Sequence, residues 1–270
     1  MNKKRIAVIG SGIAGLSASL FLSKDYVVSL FEKNKILGGH TRTIDTFDSY
    51  KKPLSVDTGF IVYNEDNYPD LVSFLKFLDI KTENSEMSFS VSCKNPKLEY
   101  GGTNLNSLFA QRKNIFSIKF IFLLYEISKL YKIGKNYNLD NVSNNVTLDE
   151  FLTKNNFSKD VRDFHIYPMI SSIWSTNTED LKKFPLIFFL QFFKNHGLFN
   201  LNKRPQWKFV KGGSYQYIKS LIKMNLFKIY LNFKIKNITR IDGKIQLIDN
   251  NDTIQVFDKI VFATHADEVV

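Results

Sequence analysis

Gly10, Gly12 and Gly15 stand in the spacing G-x-G-x-x-G, with Ser11, Ile13 and Ala14 between them. Glycines so placed permit a tight turn, close approach of backbone to a pyrophosphate, and close packing of a helix on a sheet. The bound anion then lies at a helix N-terminus, where unpaired N–H groups and the helix dipole favour negative charge. Glu32 follows about 20 residues later, the position from which an acid holds a ribose hydroxyl. A carboxylate there also repels a 2′-phosphate, which disfavours NADP. Six residues on comes a second pair, Gly38 and Gly39. A lone glycine loop is a weak signal, whereas loop, acid and second glycine pair together are much more specific.

The elements that must hold these residues follow from the apolar pattern. Residues 6–9 are a short branched run suited to a strand buried on both faces. A helix is predicted over 16–23 and a second strand over 27–31, closed by Glu32. Lys3, Lys4 and Arg5 before an apolar stretch also fit a secretory signal peptide. Three glycines at nucleotide-binding spacing, and no small-residue cleavage site before Lys24 and Asp25, favour the strand-loop-helix reading. The roughly 20 continuous apolar residues of a membrane span are found nowhere in the chain.

The chain has 270 residues, enough for a large core and, as a prior, two domains. Its net charge is +11, from 37 basic and 26 acidic residues. Such a balance suits nucleic acid, an anionic membrane surface or an anionic substrate. The lysines are scattered without a dense basic run, so general surface charge is the preferred reading and no nucleic-acid partner is expected. Peripheral membrane contact is compatible with it. Cys93 is the single cysteine, which excludes an intrachain disulfide and a CxxC site and suits a reducing, cytoplasmic compartment. His40, His165, His196 and His265 lack metal-ligand spacing, so no metal centre is expected.

Three zones emerge. Residues 1–103 begin a doubly wound sheet, with a helical face at 68–78 and an alternating strand at 88–92. Residues 104–204 are mainly helical: 115–131 is one helix, 147–152 begins another with Thr147 as cap and Glu150 three residues on, 186–193 is strongly apolar, and 136–145 is a polar loop. The aromatic run 184–193 reads as a buried helix or the wall of an apolar pocket, being too short to span a bilayer. Residues 205–270 return to strands at 229–238, 245–248, 254–256 and 259–264, with a turn at Asp242 and Gly243.

Residues 10–15, 31–33 and 37–43 resemble the FAD-dependent amine oxidase and phytoene desaturase superfamily, whose second motif usually reads two glycines and an arginine. Residues 56–64, 87–91, 168–169, 173–175, 195–197, 204–207, 212–217 and 262–267 are similar, in order, to a bacterial branch of FAD/NAD-binding oxidoreductases. The resemblance implies an α/β, Rossmann-like three-layer FAD-binding domain with an inserted, mainly helical substrate domain that begins near 65–103. It implies noncovalent FAD: Gly10 to Gly15 at the pyrophosphate, Glu32 and Lys33 at the adenosine end, and Gly38, Gly39, His40 and Thr41 along the phosphate or ribityl region. Gly59 and Phe60 would lie near the flavin, the strand around Ile235 by the adenine, and Ala263 and Thr264 at a strand end that passes the cofactor again. His40 replaces the usual arginine and removes a fixed cation and its fork; it is a polar loop residue or a phosphate contact. Members of this superfamily normally continue well past Thr264, so the 270-residue chain is expected to bind FAD poorly by itself.

Flavin chemistry asks little of side chains beyond position, polarity and exclusion of water. His196 is the one candidate acid, base or substrate contact, with capping of the preceding helix before Gly197 as its other reading. His165 is read as packed and hydrogen-bonded, and Trp174 and Trp207 as core or pocket wall. Gly212, Gly213 and Ser214 present N–H groups to an anion or pack tightly. The expected activity is hydride removal from an amine or an apolar, lipid- or isoprenoid-like molecule. An NAD-binding dehydrogenase and an inactive flavoprotein fragment are the alternatives.

Overall fold

The computed structural model describes residues 3–141, 143, 145–201 and 204–269. Val142 and Asn144 of the expected polar loop, and Val270, lie outside the described residues. The chain forms two compact units. Met1–Tyr63, Tyr68–Ser85 and Lys208–Val270 make one; Asn64–Asn67 and Glu86–Trp207 make the other. The stretch 86–103 thus packs with the helical residues that follow it.

The first unit is built on a parallel sheet. Strand β1, Arg5–Ile9, pairs on one side with β2, Val27–Phe31, and on the other with the strand Lys259–Phe262. The strand Lys228–Tyr230 extends the sheet beyond β2. Alternation along β1 and β2 sends side chains to two cores. Ile6, Val8, Val28 and Leu30 meet Leu16 and Leu20 of helix α1, Ile13–Leu22, and Tyr217, Ile218 and Leu221 of the helix Tyr215–Lys223. Ala7 and Phe31 point the other way, onto Ile245, Leu247 and Phe257 of an antiparallel sheet formed by Ile235–Ile241, Lys244–Asp249 and Ile254–Phe257. Helices, parallel sheet and antiparallel sheet are therefore the three layers of an α/β, Rossmann-like domain.

Three differences from expectation bear on the glycine loop and the strands beside it. α1 starts at Ile13, so Ile13 and Ala14 belong to its first turn and Gly12 is its N-cap. The strand expected over 229–238 is two strands in different sheets, Lys228–Tyr230 and Ile235–Ile241. Asn232, at φ +53°, turns the chain between them. The last expected strand, 259–264, ends at Phe262.

The second unit is mainly helical. The long helix runs Ile118–Asn136, a single 3₁₀ stretch precedes it at Arg112–Phe116, and a further 3₁₀ turn, Leu139–Asn141, falls inside the expected polar loop. Thr147 caps Leu148–Lys154 in a reciprocal capping box with Glu150. Leu186–Asn195 buries Leu186, Phe189, Leu190 and Phe193 in the core, so the aromatic run is a core helix. Trp174 packs in the same core against Phe184 and Phe192, with ring centroids 4.9 and 4.7 Å away. The expected strand near 88–92 is Ser90–Cys93, paired with Leu98–Gly101.

Candidate dinucleotide site

β1 ends where its neighbours on the two sides are β2 and the late strand, and the crevice outside such a switch of strand order is where open α/β sheets bind ligands. Gly10 leaves the strand there, its N–H donating to the Phe31 carbonyl at 2.8 Å. A Cβ on Gly15 would lie 1.8 Å from the Gly10 carbonyl oxygen, and one on Gly10 would lie 2.7 Å from the Ala263 oxygen. Those two glycines are demanded by the packing of loop, helix and late strand. Gly12 is not. It has the ordinary extended geometry of an N-cap, φ −63° and ψ 177°, and an added Cβ would meet nothing within 4 Å. Exposed Ile13 and Ala14 follow it, and the first-turn N–H groups have no helical acceptors.

Glu32 is buried at the end of β2 with its carboxylate shared among four donors. Oε2 accepts from the Ser11 N–H at 3.1 Å and the Ser11 hydroxyl at 2.5 Å; Oε1 accepts from the Asn34 N–H and side-chain amide, both at 2.9 Å. The Ser11 oxygens in turn receive the Gly38 N–H, the carbonyl at 3.0 Å and the hydroxyl at 3.1 Å. Gly38 and Gly39 have φ of +120° and +56°, a reversal that L side chains resist. It seats Gly39 so close to the first loop that an added Cβ would be 3.2 Å from the Gly12 Cα. First loop, acid and second glycine pair are one hydrogen-bonded unit.

Behind this unit, Thr41 Oγ1 and the buried Tyr217 hydroxyl share a hydrogen bond of 2.6 Å. Burial raises the Tyr217 pKa above the ordinary tyrosine value, and the Thr41 bond acts in the opposite direction. Gly59 is fixed by the same segment, since its Cβ would sit 1.9 Å from the His40 carbonyl oxygen; the Phe60 N–H donates to that oxygen at 3.0 Å. The exposed His40 ring stacks on His265, centroids 5.9 Å apart. Lys33 pairs with Glu268 at 2.9 Å, and that carboxylate raises the pKa of the exposed ammonium. Ala263 donates its N–H to Ile9 at 2.8 Å and, with Thr264, borders Gly10. Ile235 follows a segment that runs beside the acid: the Phe233 N–H donates to the Glu32 carbonyl at 2.9 Å.

The expected residues from Gly10 to Thr264 thus all belong to one unit, while His196 belongs to the other. His196 is the C-cap of its helix, with Nδ1 2.9 Å from the Phe192 carbonyl and its ring stacked on Phe192 at 4.0 Å. Gly197 at φ +63° and the bonds from Gly197 to Lys194 and Leu198 to Phe193 complete a Schellman ending. The motif at Gly212 to Ser214 also resolves. The Ser214 N–H and hydroxyl donate to the Asp57 carboxylate at 2.8 to 2.9 Å, and Gly213 lies against Thr43. That helix terminus already holds an anion from its own chain. Asp57 and Ser214 are 157 residues apart, and no spacing rule pairs them.

Residues 8–78 match the family model for NAD(P)-binding Rossmann-like domains. Wild-type putrescine oxidase bound to putrescine is similar over 97% of this chain, with a TM-score of 0.66 and 18% identity. This chain has its fold. The fold extends to a fatty acid isomerase from P. acnes, TM-score 0.64 and 17% identity over 98% of this chain, and to an oxidoreductase from Methanosarcina mazei, TM-score 0.60 and 19% identity over 96%. The chain spans 58% of the putrescine oxidase structure, 60% of the isomerase and 58% of the oxidoreductase. No curated protein matches the sequence.

Proposed function

We propose that this chain carries the dinucleotide-binding part of an FAD-dependent oxidoreductase that takes hydride from an organic substrate. Gly12 carries the proposal: packing leaves room for a side chain there, so a glycine serves something that approaches from outside. At the exposed N-terminus of α1 that visitor is an anion, and a pyrophosphate fits. Gly38, bonded to Ser11, and Gly39, close to Gly12, bring a second stretch of backbone to the same place. A nicotinamide dehydrogenase has no use for that second turn, which is why FAD is preferred.

FAD, when bound, supplies the hydride acceptor. The chain supplies position. Gly10, Gly12, Gly15 and the α1 terminus receive the pyrophosphate, with Ser11, Ile13 and Ala14 lining the approach. Glu32 receives the ribose; its four acceptor positions are already filled, so one donor must be exchanged, and the rotatable Ser11 hydroxyl is the one free to turn away. Gly39, His40, Thr41, Gly59 and Phe60 continue the path towards the flavin, and the Ile235 strand and Ala263-Thr264 flank it. Lys33, held by Glu268, frames the rim. The first unit is read as the FAD domain and the helical unit as the substrate domain. The substrate is an amine or an apolar, lipid- or isoprenoid-like molecule. The single free Cys93 accords with work in the reducing cytoplasm.

The visible spectrum of the purified protein tests this reading. With FAD supplied in excess, bound-flavin bands that bleach anaerobically with an organic substrate are expected, whereas retention of a nicotinamide nucleotide alone contradicts it. Bleaching by polyamines only would remove the lipid version.

A further inference from the structure

The helix Ile118–Asn136 buries Phe120, Leu123, Ile127, Leu130 and Tyr131 in the core of the helical unit. A helix seated on one core ordinarily turns polar residues outward. The second half does so, exposing Ser128, Lys132, Lys135 and Asn136. The first half does not. Ile118 is 86% exposed, Ile121 47%, Phe122 52% and Tyr125 61%, and their spacing sets them along one face. The preceding 3₁₀ turn adds Phe116, 88% exposed. This helix is apolar on two opposite faces, of which the core covers one.

The charge along the sequence that bears the second face has a single sign. Between Tyr100 and Tyr125 the sequence holds Arg112, Lys113 and Lys119 and no acid. The next acid, Glu126, is buried and accepts from the Ser158 N–H at 2.7 Å. No helix among the described residues is long and apolar enough to cross a membrane. We propose that this ridge docks in the plane of an anionic phospholipid bilayer, with Phe116, Ile118 and Phe122 entering the headgroup–acyl boundary and Lys113 and Lys119 among the headgroups. Apolar residues rimmed by cations are the composition of an interfacial helix. A second copy of the chain fits less well, because a two-fold pairing of the same patch gathers the Lys113 and Lys119 of both copies in one interface with no acid from this stretch to offset them.

Sedimentation of the full chain with vesicles of phosphatidylcholine alone, or mixed with phosphatidylglycerol, tests the proposal and reads nothing of the cofactor. Binding to the anionic vesicles, weakened by salt, is expected. The double substitution Phe116→Ser with Ile118→Ser lowers partitioning by roughly tenfold or more, with an unchanged urea midpoint because both side chains are exposed. Lys113→Glu with Lys119→Glu brings binding on anionic vesicles down to the level on neutral ones. The proposal is overturned if the wild-type chain ignores anionic vesicles, if the Phe116/Ile118 variant binds undiminished, or if that variant instead abolishes a concentration-dependent dimer.

Discussion

Glu32 is a buried carboxylate with four donors around it, and the consequences of removing it follow from those donors. Glu32→Ala leaves the N–H and hydroxyl of the buried Ser11 without their acceptor, while the exposed Asn34 can turn to solvent. The expected loss is about 1–3 kcal/mol of stability, measured as a fall in the urea midpoint without added nucleotide. Gly15→Ala forces a Cβ onto the Gly10 carbonyl and is expected to cost more than any other single methyl in the loop; a soluble variant with the wild-type melting temperature would refute that packing. At this scale the sequence was readable wherever a residue's job depends on near neighbours. The glycine spacing and the acid are of that kind. The Asp57 carboxylate on the Ser214 N–H is not, since only the folded sheet brings Val56 to Gly59 beside Gly212 to Ser214. His40, read from a family departure, stacks on His265, a contact that also depends on the fold.

Helices and strands were legible to the extent that they carry their own boundaries. Thr147 and Glu150 announce a capping box, and both reciprocal bonds are present, 2.9 and 3.2 Å long. Thr147→Ala is expected to lower stability by about 1 kcal/mol, read from a denaturant titration. The β residues 229–238 gave no such punctuation, since a turn at Asn232 is affordable only because its N–H finds the Asn34 carbonyl. Three elements of the helical unit meet at His165, whose Nδ1 lies 3.0 Å from the Tyr100 hydroxyl and whose Nε2 lies 3.2 Å from that of Tyr131. Burial first, then the Arg204 charge, lowers its pKa to about 4. The unfolded chain, with an ordinary histidine, binds the extra proton more readily. This contribution is therefore complete above about pH 6.5 and is lost progressively as the pH falls towards 4, amounting to roughly 3 kcal/mol at most. Urea midpoints measured from pH 7 to 4.5 should fall accordingly in the wild type and fall less in His165→Gln; parallel curves would show that the pKa of His165 is not lowered in the folded chain.

Across the whole molecule, the three-layer unit follows from strands whose alternate residues feed two cores, a pattern present in the apolar runs. The order of those strands is not, because the late strand Lys259–Phe262 joins β1 from more than two hundred residues away in sequence. The apolar ridge beside Arg112, Lys113 and Lys119 became visible only with the fold, which covers one face of its helix and leaves the other exposed. On the proposed reading the loop after β1 and the turn at Gly38 and Gly39 receive a dinucleotide, and a substitution at Gly12 separates binding from packing. Calorimetric titration of ADP and of FAD into the wild-type chain and Gly12→Ala, beside their urea midpoints, tests it most directly. Equal midpoints with at least roughly tenfold weaker nucleotide binding in Gly12→Ala is the predicted result; equal affinity in the two proteins, or no binding of either nucleotide by the wild type, would contradict it.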